Sequence, residues 1–230
     1  MNKFKGRFGV ALIAAIPLLA CLRGEARTAS ADSVPVTKAT AAAAPRSDQA
    51  AAFRFVLSPT GTAARYRVRE RLVGHDLPND AIGETKNFTG AIEFDAHGKV
   101  LPLTSKFVVD AGTFVSDKDR RDGFVRGRLL EAEQYPSIVL VPTNLRGVVL
   151  PLPTSGTLPI VMTGDLTVHG VTRPTTWKGS ATFQNGQITG TAETAFTFDE
   201  IHIEQPRVPV LLSVADTIRL EIDFTLVRQR

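Results

Sequence analysis

Cysteine is nearly absent from this sequence, because 230 residues contain only Cys21. A single cysteine cannot form a disulfide within the chain, and it cannot build a cysteine-based metal cluster. Its location close to the amino terminus carries more information than its rarity.

Motifs of catalytic and metal sites are also missing. No two histidines stand at metal-ligand spacing, and no His-Glu-x-x-His occurs. Neither a Gly-x-Ser-x-Gly elbow nor a glycine-rich phosphate loop is present. The sequence therefore predicts a protein without a cofactor, a metal site or a catalytic residue. The four histidines are His75, His97, His169 and His202.

Only His169 stands in a distinctive context, within the stretch from Gly164 to Pro174. Before Gly170 apolar and polar residues alternate, and the alternation resumes after Pro174, as expected for two antiparallel strands joined by a tight turn. We interpret His169 as a hydrogen-bonded residue of this turn. The alternative is acid–base catalysis together with Asp165.

Charge is mildly basic, with a net charge of +4 and an isoelectric point near 9.5. Lysine and arginine are spread through alternating segments instead of forming runs, which favours a solvated exterior over a nucleic-acid-binding surface. The run Arg120-Arg121-Asp122 is predicted to anchor a helical segment through salt bridges. Its alternative role is to hold the head group of a ligand.

The amino terminus has the layout of a secretory signal peptide. Lys3, Lys5 and Arg7 precede a short apolar core from Phe8 to Ala20, which is too short for a comfortable membrane span. The following Leu18-Leu19-Ala20-Cys21 resembles a bacterial lipobox, in which the cysteine is lipidated and becomes the new amino terminus. Ordinary cleavage after Ala31 is the alternative. Either route predicts export to the periplasm or cell envelope, and the first adds a membrane anchor at Cys21.

Three regions are therefore predicted. Residues 1–21 form the signal peptide with its lipobox, residues 22–51 form a flexible linker rich in Ala, Thr, Ser and Pro, and residues 52–230 form the folded domain.

Period-2 alternation dominates the folded domain, most clearly from Thr217 to Leu226, and Asn185-Gly186 is a hairpin signal. Asp117 to Glu133 departs from the pattern and predicts a short helix capped by Asp117 or Asp119. The fold class is therefore all-β: an eight-stranded antiparallel, lipocalin-like barrel with one or two short helices. A β-sandwich is the alternative.

Small residues recur on the presumed inner face of three consecutive strands. A packed interior would require bulk there, so we expect a cavity for an apolar ligand. The alternative is that the aromatic residues Trp177, Phe183, Phe196 and Phe198 fill the space. The small residues are Gly164, Gly179, Ala181, Gly190 and Ala192.

The stretch from Gly164 to Pro174, preceded by Arg121-Asp122 and Tyr135-Pro136, resembles the YceI family of lipocalin-like bacterial proteins over Phe53 to Arg228. The resemblance implies a barrel that holds a long-chain isoprenoid, a quinone or a fatty-acid-type lipid, in secreted or periplasmic proteins. Many members carry a histidine where this chain has Phe124, which predicts a different or less polar ligand end.

The predicted function is binding, carriage or sequestration of such a lipid. Two alternatives are an enzyme that uses His169 on a lipophilic substrate and an envelope interaction module. The loop from Glu204 to Ala215 is predicted to be a flap at the barrel mouth, and the oligomeric state is left open. The expected ligand-binding residues are Phe94, Phe107, Leu166, Val168, Trp177, Gly179, Ala181, Ile188, Phe196 and Phe198.

Overall fold

The computed structural model describes residues 52–229. The predictions for residues 1–51, including Cys21 and the linker, lie outside this range. None of the helices within it is long and apolar enough to cross a lipid bilayer. The strands are β1 Phe53–Leu57, β2 Ala63–Leu72, β3 Asn79–Thr85, β4 Phe88–Phe94, β5 Lys106–Asp110, β6 Ser137–Arg146, β7 Ser155–Val168, β8 Val171–Gln184, β9 Gln187–Thr197 and β10 Leu211–Gln229. Helix α1 spans Asp119–Phe124 and continues into a π-helical turn at Val125–Leu129, and short 3-10 turns occupy Ala111–Thr113 and Asp199–Ile201.

Eight strands form a closed antiparallel ring in the order β1, β4, β5, β6, β7, β8, β9, β10, because β1 pairs with both β4 and β10. Strands β2 and β3 extend this ring at one end, where β2 pairs with β10 on the edge that β1 also uses. The predicted eight-stranded barrel is therefore confirmed. Ten segments appear because residues 58–62 separate β1 from β2 and residues 86–87 separate β3 from β4.

The predicted turns are present where the sequence placed them. His169 and Gly170 connect β7 to β8 with φ angles of 50° and 75°, and Asn185 and Gly186 connect β8 to β9 with 51° and 77°. These left-handed conformations are those of a two-residue hairpin turn. Pro174 does not mark the start of β8, since it lies within the strand opposite Asp165. That part of β8 has β7 as its paired neighbour, so the missing N–H is tolerated.

Two local predictions are wrong. Alternating apolar residues predict a strand from Leu101 to Val109, but β5 begins only at Lys106 and the side chain of Leu103 is fully exposed. Helix α1 begins after Lys118, which makes no side-chain capping bond, so neither predicted aspartate caps it. The segment is instead fixed by the buried Asp122, whose carboxylate accepts from the Ser116 hydroxyl at 2.6 Å and from its backbone N–H at 2.9 Å.

At the inner-face glycines, the space that a side chain would occupy is taken by the backbone of a neighbouring strand. It is therefore not open to a ligand. A Cβ atom on Gly179 would lie 1.9 Å from the Thr191 carbonyl oxygen, and one on Gly190 would lie 2.1 Å from the Ser180 carbonyl oxygen. Gly164 faces the Val141 carbonyl oxygen in the same way, at 2.7 Å. The expectation that these positions open space for a ligand is therefore wrong.

We expect Gly179→Ala to lower the free energy of unfolding by about 1–3 kcal/mol, because its methyl group overlaps the β9 backbone. The matched control is Gly123→Ala in α1, where an added Cβ meets nothing within 4 Å. A helical glycine-to-alanine change in open space raises stability by about 0.5–1 kcal/mol. Urea unfolding curves of both variants test the contrast, and equal effects would contradict it.

Candidate ligand-binding cavity

A cavity of about 870 Å³ lies at the end of the barrel where β2 and β3 extend beyond the closed ring. This volume falls in the range of small-molecule sites, roughly 300–1,000 Å³. Its walls come from β2, the helical segment, the end of β9 and the segment that leads into β10. Most of the surface is apolar, contributed by residues that include Val68, Leu72, Phe124, Leu129, Ile203 and Ile218.

Strand β2 supplies the wall through alternate residues, because successive side chains of a strand point to opposite faces. Tyr66, Val68, Glu70 and Leu72 all line the cavity. The alternation in the sequence is sufficient to place Glu70 on the same face as Val68 and Leu72. It does not show that a cavity lies opposite that face.

The outward residues of β2 are arginines that tie it to both neighbouring strands. Arg67 donates from Nε to Glu221 of β10 at 2.7 Å, and its Nη1 lies 3.2 Å from Asp80 of β3. Hydrogen bonds from Arg69, and also from Arg67, hold the pKa of Asp80 below its ordinary value. These ion pairs tie the outer face of β2 to β3 and to β10. The strand that forms this cavity wall is therefore held on both edges.

One ion pair sits within the apolar wall. Arg121 Nη2 lies 2.7 Å from Glu70 Oε1, with side-chain exposures of 15% and 8%, and Arg121 also pairs with Asp117. The predicted salt-bridge anchoring of the helical segment is therefore present. Arg120 and Lys118 line the cavity as well, and both are exposed.

The segment 204–210 covers the cavity at the predicted place. Pro206, Val208 and Val210 line the cavity, but the predicted flap is shorter than expected because β10 begins at Leu211. Two hydrogen bonds tie the segment down, one from the Gln205 side chain to the Val214 carbonyl at 2.7 Å and one from the Val73 N–H to the Val210 carbonyl at 3.0 Å.

The expected ligand-binding residues separate into three groups. Val168, Phe196 and Phe198 line the large cavity. A second, wholly apolar cavity of about 80 Å³ lies toward the opposite end of the barrel and contacts four others, which are Phe94, Phe107, Ala181 and Ile188. The remaining three, Leu166, Trp177 and Gly179, line neither cavity.

Trp177 and Leu166 belong to a packed region between the two cavities. Their exposures are 3% and 2%, and the Trp177 indole donates to the Thr175 hydroxyl at 3.0 Å. Aromatic and aliphatic side chains therefore fill the middle of the barrel. The alternative interpretation holds for Trp177 alone, because Phe196 and Phe198 line the large cavity and Phe183 lines the second one. The open space is confined to the ends.

His169 lies at the β7–β8 turn and lines neither cavity. Its ring packs against Tyr135 with centroids 4.5 Å apart. Its Nε2 atom is 3.4 Å from a carboxylate oxygen of Glu131 but makes no hydrogen bond, so the prediction of a hydrogen-bonded turn residue is not borne out at this atom. Residues 52–229 contain no group of His, Cys, Asp or Glu side chains that could hold a metal ion.

Comparison with known proteins gives consistent matches. A family model described as YceI-like domain matches residues 55–226. A UPF0312 protein of Pseudomonas putida is 28% identical over 159 residues, which cover 64% of this chain and 74% of that protein.

Two solved structures share the fold at low sequence identity. One is a polyisoprenoid binding domain from Saccharophagus degradans implicated in plant cell wall breakdown, with a TM-score of 0.60 and 13% identity over 76% of this chain and 98% of that chain. The other is BcnA of Burkholderia cenocepacia, with a TM-score of 0.53 and 14% identity over 74% and 98% of the two chains.

We expect Arg121→Met to lower the free energy of unfolding by about 3 kcal/mol, because it leaves the Glu70 carboxylate without its charge partner in an apolar wall. The double variant Glu70→Met/Arg121→Met should recover most of this loss, since replacing both charges by apolar groups is often neutral.

Arg69→Met is the matched control for this pair. Arg69 is 58% exposed in its ion pair with Asp80, so its loss should cost less than about 1 kcal/mol. Urea unfolding of the four proteins measures the pattern. A double variant no more stable than Arg121→Met would show that the buried pair is not the cause.

Proposed function

The chain belongs to the YceI-like family, and from this premise we propose that it binds, carries or sequesters a long-chain isoprenoid or a related amphiphilic lipid. The large apolar cavity is the observation that carries the proposal. Its lining is suited to a hydrocarbon chain, and the Glu70–Arg121 pair presents little net charge to it. The name of the Saccharophagus degradans domain, a structural relative, supports an isoprenoid among the possible lipids.

The binding energy of such a ligand comes from removing its hydrocarbon surface from water. Each buried methylene contributes about 0.8 kcal/mol, so roughly ten buried carbons contribute about 8 kcal/mol, which corresponds to micromolar affinity before ordering costs are subtracted. The cavity is therefore adequate for a carrier without any strong polar contact. Quinones and fatty-acid-type lipids satisfy the same requirement.

Enzymatic use of His169 gains no support from its position. The residue packs on Tyr135 at the β7–β8 turn, outside the lining of both cavities. A lipid held in the large cavity would not meet it without rearrangement of that turn. Binding without chemistry is the function that fits the cavity best.

We expect the purified protein to carry lipid that organic extraction and mass spectrometry identify, and Ala81→Phe to reduce that load about tenfold. Ala81 lines the cavity from β3, so the phenyl ring takes space from the ligand, and two displaced methylenes already correspond to about tenfold in affinity.

The matched control is Ile82→Phe, the next residue of β3, which lies opposite Arg67 on the outer face. The Ile82→Phe variant should carry as much lipid as the original protein. An empty original protein that also takes up no offered polyprenol or quinone would reject the proposed function. Equal loading of both variants would reject the cavity as its location.

We also propose that the protein is exported and held in the cell envelope by lipid on Cys21. The support is the lipobox-like Leu18-Leu19-Ala20-Cys21 after a short apolar core. Two acyl chains give stable anchoring where one gives reversible binding.

Cys21→Ser should move the protein from the membrane fraction to the soluble fraction and abolish its labelling by palmitate. The control is Ala31→Leu, which blocks the competing cleavage after Ala31 and should leave fractionation unchanged. If Cys21→Ser has no effect while Ala31→Leu prevents processing, ordinary signal cleavage is established instead.

A further inference from the structure

Tyr66 is the innermost polar residue that β2 contributes to the large cavity. Leu72, at the other end of the same face, pairs with Leu211 where the covering segment ends, whereas Tyr66 pairs with Leu220. The next inward residue, Ala64, is 5% exposed and belongs to the packed core. The phenol therefore lies at the inner end of the cavity, next to the packed core.

Two contacts fix the position of its ring. The ring packs against Phe114 with centroids 5.5 Å apart. It also lies across Gly83 of β3, where an added Cβ would be 2.2 Å from the ring and 2.6 Å from the hydroxyl oxygen. Because Gly83 has no side chain, the phenol can lie flat there, and its hydroxyl is placed before any ligand arrives.

The hydroxyl has an unused donor. The chain has two tyrosines, and the hydroxyl of Tyr135 accepts a hydrogen bond from Gln134. The Tyr66 hydroxyl, by contrast, makes no hydrogen bond to any residue between 52 and 229, although the side chain lines the cavity. A tyrosine hydroxyl in an apolar environment usually finds a partner. The arrangement leaves that partner to be supplied by the cavity's occupant.

Electrostatics determine which kind of partner fits. Burial raises the pKa of Tyr66 to about 12, so the phenol remains a protonated donor at neutral pH. The guanidinium of Arg121 is already paired with the carboxylates of Glu70 and Asp117. An anion beside the phenol would therefore lose its hydration in an apolar lining without gaining a free charge partner from Arg121. A neutral oxygen acceptor avoids this cost.

We propose that the Tyr66 hydroxyl donates a hydrogen bond to a neutral oxygen of the bound lipid, such as that of an alcohol or a carbonyl, at the inner end of the cavity. The inference rests on the proposed function and adds the polarity and orientation of the ligand. The lipid lies with its neutral oxygen inside and its hydrocarbon chain toward the mouth. Lipids with an anionic head group are excluded from this orientation.

The test compares three probes of one carbon skeleton, which are geranylgeraniol, its hydrocarbon counterpart without the hydroxyl, and geranylgeranyl diphosphate. Tyr66→Phe keeps the ring and removes only the donor. It should lower the affinity for geranylgeraniol about three- to tenfold, which is the effect of one neutral hydrogen bond. The affinities for the other two probes should stay within about twofold of those of the original protein.

Tyr135→Phe is the matched control, because it removes the only other tyrosine hydroxyl and that residue does not line the cavity. In the Tyr135→Phe background, the near-ultraviolet difference spectrum reports Tyr66 alone among tyrosines, and geranylgeraniol but not the hydrocarbon should shift it. Thermal unfolding of each variant shows whether the fold is retained.

Three results would overturn the inference while leaving the proposed function standing. The first is an affinity for geranylgeraniol that Tyr66→Phe leaves unchanged. The second is an equal loss of affinity for the alcohol and the hydrocarbon, and the third is a loss of affinity for the diphosphate as large as that for the alcohol. An original protein that binds no probe would reject the proposed function itself.

Discussion

Pairing between β1 and β10 closes the sheet, and the remaining structure depends on it. The contact is short, running from Arg54 opposite Gln229 to Leu57 opposite Leu226. Strand β10 has 19 residues and continues past β1 along the same edge to pair with β2. One strand therefore both closes the packed ring and forms a wall of the large cavity. Closure removes the exposed edges that an open sheet would present.

The middle of the barrel is filled and one end is open, because paired strands surround the middle whereas other elements replace strand pairing at that end. Around Trp177 and Leu166 the ring is continuous on all sides, and side chains pack to low exposure. Beyond it, the free edge of β3 makes a bridge from Glu84 to Val115 in place of a continuous ladder. The helical segment and residues 204–210 complete the wall there with apolar side chains such as Phe124. These elements stand back from the strands, so the space between them is not filled.

Much of the fold could be predicted from the sequence, because alternation reports strand direction and turn residues report where strands end. Asn185-Gly186 and His169-Gly170 show this, since both adopt the left-handed conformations that the hairpin requires. The cavity could not be located in the same way. Alternation shows which face a residue occupies but not what stands opposite, and Gly179 points inward yet meets the backbone of Thr191. Only the paired register of β8 and β9 contains that information.

Polarity within the cavity is graded along β2 and the helical segment. A neutral phenol lies innermost, the compensated Glu70–Arg121 pair follows, and the exposed Lys118 and Arg120 lie beyond it. The covering segment 204–210 is held by few hydrogen bonds, among them those of Gln205 and Val210, whereas the ring is held by continuous ladders. The ion pairs of Arg65 and Arg67 hold β2 to β10 independently of this segment. The covering segment and the closed ring are therefore held by separate sets of contacts.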